Sequence, residues 1–233
     1  MQKMAILDLP DNIYNWIANY FEQRGHLTKI YDIISAIAFI NASIIQGSVI
    51  GPPSYVVAAS DLHAKSPRNS LMKYADDSYL LVGSSNICSV YEEFAHIKAW
   101  AAENNLQLNP HKTRELIVYR RRAGSSAPLD PFLPGATRVT SMRVLGVVLS
   151  ANLTMGNHLD EILSSSASSI HALRMLRSHG LGSPQLHVIA RSTTLASMLY
   201  ASPAWWGFTS ARDKDRLEKL IGRLQRGGWF VFC

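Results

Sequence analysis

The spacing of apolar positions changes period several times along the chain, and each change marks an element. Ile13, Trp16, Ile17, Tyr20 and Phe21 recur at helical spacing behind Asp11, which stands where a cap belongs, and Arg24-Gly25 ends the run. Ahead of it, Met1 to Leu7 reads as the last turns of another helix, broken by Leu9-Pro10. Residues 30–45 are rich in Ile, Ala and Ser and fit strands or a strand pair. An apolar helix is expected from about Tyr55 to His63. Leu71 to Tyr74 and Ser78 to Val82 are two β-prone runs around Ala75-Asp76-Asp77, the pattern of one hairpin. Val90, Phe94, Ile97 and Ala101 share one helical face running to about Asn104, behind Ser89-Val90-Tyr91-Glu92 at capping-box spacing.

The second half continues in the same way. Leu116 to Tyr119 predicts a strand, and Arg143 to Leu149 another with Gly146 at its centre. From His158 the period is helical again: Leu159, Ile162, Leu163, Ile170, Leu173 and Leu176 make one stripe, closed by Gly180. Ser183-Pro184 offers a cap and a first-turn proline for the next helix. A third, Ala211 to about Gln225, buries Leu217, Leu220, Ile221 and Leu224 and alternates acids and bases outside. The aromatic stretch Tyr200 to Phe208 is expected to pack, and residues 227–233 read as a frayed tail.

Composition narrows the class. The 233 residues are 47% hydrophobic and 17% charged, which is globular rather than disordered. A net charge of +6 favours a polyanionic partner. Cys88 and Cys233 lie far apart without His or Cys at metal-ligand spacing, so neither a disulfide framework nor a zinc site is expected. The longest greasy run, Ile33 to Ile45, is interrupted by Ser35, Asn41 and Ser43 and is too short for a bilayer. Met1 to Pro10 lacks the apolar block of a secretory signal. The expectation is a soluble intracellular protein, nuclear or cytoplasmic, with no membrane partner.

Candidate chemistry centres on Asp76-Asp77. Two adjacent carboxylates resist ionising together unless a cation sits between them, and a hard divalent ion such as Mg²⁺, held by oxygens, resolves the conflict. The competing reading is a hydrated turn in which both aspartates supply turn chemistry. Gly47 lets a backbone approach a ligand closely and Ser48 can cap, or the two form an ordinary turn into a helix. Lys112 is a candidate cation, or a solvated loop lysine. Arg120, Arg121 and Arg122 make a basic edge before the Ser-, Pro- and Gly-rich loop to Gly135, or simply a solvated surface.

Taken together, the ordered blocks carry a resemblance. Tyr74-Ala75-Asp76-Asp77 inside a hydrophobic hairpin, Gln46-Gly47-Ser48-Val49-Ile50-Gly51-Pro52 a short way before it, Leu108-Asn109-Pro110-His111-Lys112-Thr113 after it and Leu145-Gly146-Val147 beyond resemble the reverse transcriptases of non-LTR, LINE-type retrotransposons. The likeness extends over about residues 9–226. It departs at Thr154-Met155, where the family's tryptophan before the His158 position would fall.

The resemblance implies an α+β fold, a partial fingers and palm of a right-hand polymerase with a helical thumb. Its segments would be 1–63 (fingers and palm fragment), 64–156 (palm) and 157–226 (thumb). It implies RNA-templated DNA synthesis by two-metal nucleotidyl transfer, with Mg²⁺ or Mn²⁺ held by Asp76 and, more weakly, Asp77. Lys112 would act at the pyrophosphate. Gln46, Gly47, Ser48 and Tyr74 would lie against nucleotide and template, Leu145-Gly146 would support the primer, and Arg120, Arg121, Arg122 and Arg143 would contact the nucleic-acid backbone. RNA template, DNA primer and deoxynucleotides are the implied partners. The family's further aspartate, in a Phe-x-Asp motif on the first palm strand, has no counterpart here, since Asp8 and Asp11 do not match it. The expectation is therefore an N-terminally truncated enzyme, inactive as this chain alone. The alternative is a non-catalytic nucleic-acid-binding or inert remnant of a decayed element. Endonuclease, RNase H and zinc-knuckle segments are not visible.

Overall fold

Pro10 decides how the chain starts. A short helix, α1 (Gln2–Ala5), stops ahead of it, and its fixed φ of −55° makes it the residue that precedes α2 (Asp11–Phe21). Asp11 is thus the first helical residue rather than the cap, and no side chain caps this end. The computed structural model describes residues 2–22, 24–40, 47–119 and 133–229. The chain divides into two compact units, Met1–Leu108 and Asn109–Cys233. Helix and strand are mixed in an α+β protein, and its strands form two-stranded ladders among the described residues.

In the first unit, β1 (Gly25–His26), β2 (Lys29–Ile30), β3 (Ile33–Ile34) and β4 (Ala38–Phe39) nest as one antiparallel ribbon, β2 with β3 inside β1 with β4. Strand structure begins earlier than Ile30, and residues 41–46 lie outside the described ones. Ile30, Ile33 and Phe39 stay exposed, and among the described residues neither core cluster includes a residue of this ribbon. Helix α3 (Gly51–Ala58) begins and ends earlier than the apolar pattern suggests, since Pro52-Pro53 suit a first turn. The expected hairpin is present as β5 (Ser70–Tyr74) and β6 (Asp77–Leu81). A 3₁₀ segment, Ser84–Ser89, leads into α4 (Val90–Glu103). Ala59, Leu62, Ile97, Trp100 and Ala101 form the core here, with Tyr55, Leu71 and Leu80 against it.

Polar ties fix these elements. Lys73 Nζ, on β5, donates to the carbonyls of Ala59 (2.5 Å) and Leu62 (2.7 Å), so the hairpin is tied to the turn that follows α3. Lys3 Nζ reaches Ala58 O (2.5 Å) and Asp61 Oδ1 (2.6 Å), and Trp100 Nε1 donates to the same Asp61 oxygen (2.9 Å). The capping box is not formed. The chain enters α4 already helical, so Ser89 Oγ turns back to Asn86 O and Glu92 pairs with Lys65.

Glu93, one residue on, is buried and accepts from the Lys65 N–H (2.8 Å), the Ser66 N–H (2.7 Å) and Asn69 Nδ2 (2.8 Å). Burial pushes its carboxyl up, but those three donors outweigh it and hold the group below the ordinary glutamate range. Its contribution is therefore complete above the unfolded-state value, about 4.3, and is lost as pH falls through the lowered folded value. Glu93→Gln, which also unpairs a donor, is expected to cost about 1–3 kcal/mol at neutral pH. Urea midpoints measured from pH 7 to 3 should flatten in this variant below about pH 4.3; an acid limb as steep as in the parent chain would refute the assignment.

In the second unit β7 (Arg114–Leu116) runs parallel to β8 (Thr137–Val139), two residues ahead of the expected strand at 116–119. The apolar run 143–149 is not one strand but the tip of a hairpin, β9 (Ser141–Val144) with β10 (Val147–Ser150). Leu145 and Gly146 take φ of 45° and 87°, which a continuous strand forbids. Helix α5 (Gly156–Ser178) opens two residues before His158. Then come α6 (Ser183–Ala190), preceded by Gly182 rather than capped by Ser183, a π-helical turn Arg191–Leu195, and α7 (Ala196–Leu199). α8 (Ser202–Trp205) and α9 (Ala211–Arg226) complete the unit, the latter capped by Ser210 Oγ accepting from the Asp213 N–H (3.2 Å). Leu159, Ile162, Ile170, Leu173, Leu186, Trp205, Leu217, Leu220 and Leu224 build one core. Trp229 belongs to it, under the Arg177 guanidinium 3.6 Å away, so the chain is packed to that residue and only 230–233 of the expected tail lie outside the described residues.

Candidate active site

The β5–β6 register pairs Tyr74 with Asp77, leaving Ala75-Asp76 as a two-residue loop with Ala75 at φ 49°. Cross-strand partners share a face. Met72, Tyr74, Asp77 and Tyr79 therefore lie on one side, and Leu71, Lys73, Ser78 and Leu80 on the other. Leu71 and Leu80 face the core, so Asp77 is turned outward beside Met72 and Tyr74, which are 54% and 64% exposed. Tyr79, two residues on along the same face, donates its hydroxyl to Asp77 Oδ2 (3.2 Å). Asp76 sits in the loop within electrostatic reach of α3: burial, then the Asp76 charge, push the Tyr55 phenol up. Both aspartates are exposed.

The other sequence candidates are distributed as follows. Gly47 has φ 84°, which requires glycine, and the space a side chain would take is open. Ser48 Oγ is buried without a partner. Gln46 and Arg120 to Arg122 lie outside the described residues. Lys112 belongs to the second unit, on an exposed turn whose N–H groups at 111 and 112 are accepted by Asn109 Oδ1 (3.0 and 3.3 Å). Leu145-Gly146 forms the β9–β10 tip. Arg143, beside it, ties Glu161 Oε2 (2.5 Å) and Gly146 O (3.2 Å).

A hard divalent ion suits the donor type of Asp76 and Asp77 but not their number. Among the described residues, no group of three or more His, Cys, Asp or Glu side chains is placed to hold a metal. Asp61 is engaged elsewhere, its carboxyl held below the ordinary range chiefly by the Lys3 hydrogen bond. Tyr55 and Tyr79 were not among the sequence candidates. Strand alternation from Asp77 could have found Tyr79; nothing local points to Tyr55.

The family model described as "Reverse transcriptase (RNA-dependent DNA polymerase)" matches residues 1–149. The chain is 26% identical, over 93% of its length, to the "Probable RNA-directed DNA polymerase from transposon BS" of Drosophila melanogaster, of which it covers 25%. It is 25% identical, over 72% of its length, to the "RNA-directed DNA polymerase from mobile element jockey" of the same fly, covering 19% of that protein. The "Probable RNA-directed DNA polymerase from transposon X-element" is 22% identical over 96% of the chain, which covers 26% of it. The chain thus spans about a quarter or less of these relatives. No solved structure matches it.

Proposed function

The chain belongs to the reverse transcriptase (RNA-dependent DNA polymerase) family, and on that footing we propose that it is part of the reverse transcriptase domain of a non-LTR retrotransposon. The reaction of the whole protein would be RNA-templated DNA synthesis. The observation that carries the reading is the Asp76-Asp77 pair at the apex of the β5–β6 hairpin, inside the matched residues. In this reading residues 1–63 belong to fingers and palm, 64–156 to the palm and 157–226 to a helical thumb. Gln46, Gly47, Ser48 and Tyr74 face nucleotide or template, Lys112 the pyrophosphate, and Leu145-Gly146 the primer.

Polymerases of this family use a divalent metal. Asp76 is the residue proposed to hold Mg²⁺ or Mn²⁺, with Asp77 its weaker partner. Two carboxylates on one hairpin do not complete a two-ion site, so no chemical step is assigned to the described residues. That shortfall favours a second reading, a non-catalytic fragment that still binds nucleic acid. No helix of the described residues is long and apolar enough to cross a membrane.

Both readings require a template–primer partner, and the binding test is electrostatic. Contacts from Arg120, Arg121 and Arg122 to about three phosphates release counterions, so raising salt from 50 to 200 mM should weaken binding about 40-fold. Reversing the charge of these arginines should lower affinity and flatten the salt slope, measured by fluorescence anisotropy on an RNA–DNA duplex. Affinity that is flat across this range refutes the proposal.

A further inference from the structure

Tyr200 stands where α7 ends, 55 residues beyond the β9–β10 tip, and its hydroxyl donates to the Leu145 carbonyl at 2.9 Å. Its ring lies against Gly146: a Cβ there would meet Tyr200 Cε1 at 2.7 Å and Cζ at 3.3 Å. Tyr200 is itself anchored. Its N–H is accepted by Ala196 O (2.9 Å), and its carbonyl accepts from the buried Trp205 Nε1 (2.9 Å). From the other side Arg143 Nη1 donates to Gly146 O (3.2 Å) while Nη2 holds Glu161 Oε2 (2.5 Å) on α5. Both carbonyls of the tip are therefore bonded, one to Tyr200 at the end of α7 and one to Arg143 of β9, which is itself paired with Glu161 on α5. Two residues with positive φ would otherwise be a floppy apex with unpaired backbone groups.

We propose that Tyr200 is a positioning residue: it fixes the direction in which the Leu145-Gly146 tip presents its backbone and the half-exposed Leu145 side chain to the recessed 3′ end of a primer. This rests on the reading of that tip as the primer support. A hydrogen bond across 55 residues to a turn carbonyl does little for the core of the second unit, which is built from other side chains. Its effect is confined to the tip. Gly146 is required twice over, by its φ of 87° and by the ring stacked on it. The α7 end thereby becomes part of the surface that meets the primer.

The test uses the full chain and Tyr200→Phe, which keeps the ring and removes the donor. Amide hydrogen exchange at residues 144–147 should quicken about three- to tenfold, with exchange in the α5 helix and thermal stability little changed. By anisotropy, preference for a recessed-end RNA–DNA duplex over a blunt duplex of equal length should fall about tenfold, while blunt-duplex affinity holds. Gly146→Ala should loosen the tip less in a Tyr200→Ala background than in the parent, because the ring collision is gone and only the φ strain remains. Unchanged tip exchange in Tyr200→Phe overturns the clamp. A looser tip with the recessed-end preference intact overturns the positioning role. A parent chain with no such preference, but a tip loosened by Tyr200→Phe, overturns the reading of the tip as primer support and leaves the clamp standing.

Discussion

Primer extension by the 233-residue chain is expected to stay at background on an RNA template with saturating primer, deoxynucleotides and Mg²⁺ or Mn²⁺. The reason is the ligand set. Two ions about 4 Å apart need carboxylates from facing strands, whereas Asp76 and Asp77 come from a single apex, with Asp77 partly satisfied by Tyr79. Asp61 already accepts from Lys3 and Trp100 through Oδ1. A longer chain that adds a strand with a Phe-x-Asp motif ahead of residue 1 should extend the primer. In that chain Asp76→Asn should lower the rate about a thousandfold, and Asp77→Asn by less. Template-dependent extension by the 233-residue chain itself, lost on Asp76→Asn, would sink this expectation and place the further ligand on Asp8 or Asp11.

Trp205→Ala should strongly destabilise the second unit. Trp205 is 1% exposed, meets the His158 ring edge-on at 5.4 Å between centroids, and donates to Tyr200 O at 2.9 Å. Removing so large a buried ring costs about 3–5 kcal/mol, against a total that for ordinary domains is about 5–15 kcal/mol. Trp205→Phe keeps most of the volume, loses the indole donor and should cost about 1–2 kcal/mol. Urea unfolding followed by helix signal measures both, and a loss below about 1 kcal/mol for the alanine variant would contradict the packing. An acid limb accompanies it. Burial holds His158 below the ordinary histidine range, Glu161 opposes that shift and Arg143 reinforces it. A depressed folded value means that the contribution is complete above about pH 6.5 and is lost as pH falls through the folded value. Opening the site by Trp205→Phe should soften that limb.

Much of this protein was legible in the chain because the signals are local. The β5–β6 hairpin, the stripe Leu159–Ile162–Ile170–Leu173 and the buried face of α9 each repeat a period that one element can satisfy alone. The ordered blocks around Asp76 gave the family in the same way. Helix ends were less legible: Asp11, Ser89 and Ser183 all have capping chemistry, yet each lies where the chain is already helical or where the preceding residue, Pro10 or Gly182, takes the cap. Tertiary structure decided the rest, because the partners are far apart in sequence. Which hairpin face carries Asp77 was set by Leu71 and Leu80 docking on the core, and Lys73, on their face, is thereby brought to the carbonyls that follow α3. Trp229 was drawn into the core by a cluster assembled from α5, α6 and α9, although its flanking glycines suggest a loose end. The Tyr200 bond to Leu145 spans 55 residues, and no period or motif encodes a contact that only the folded second unit brings within 2.9 Å.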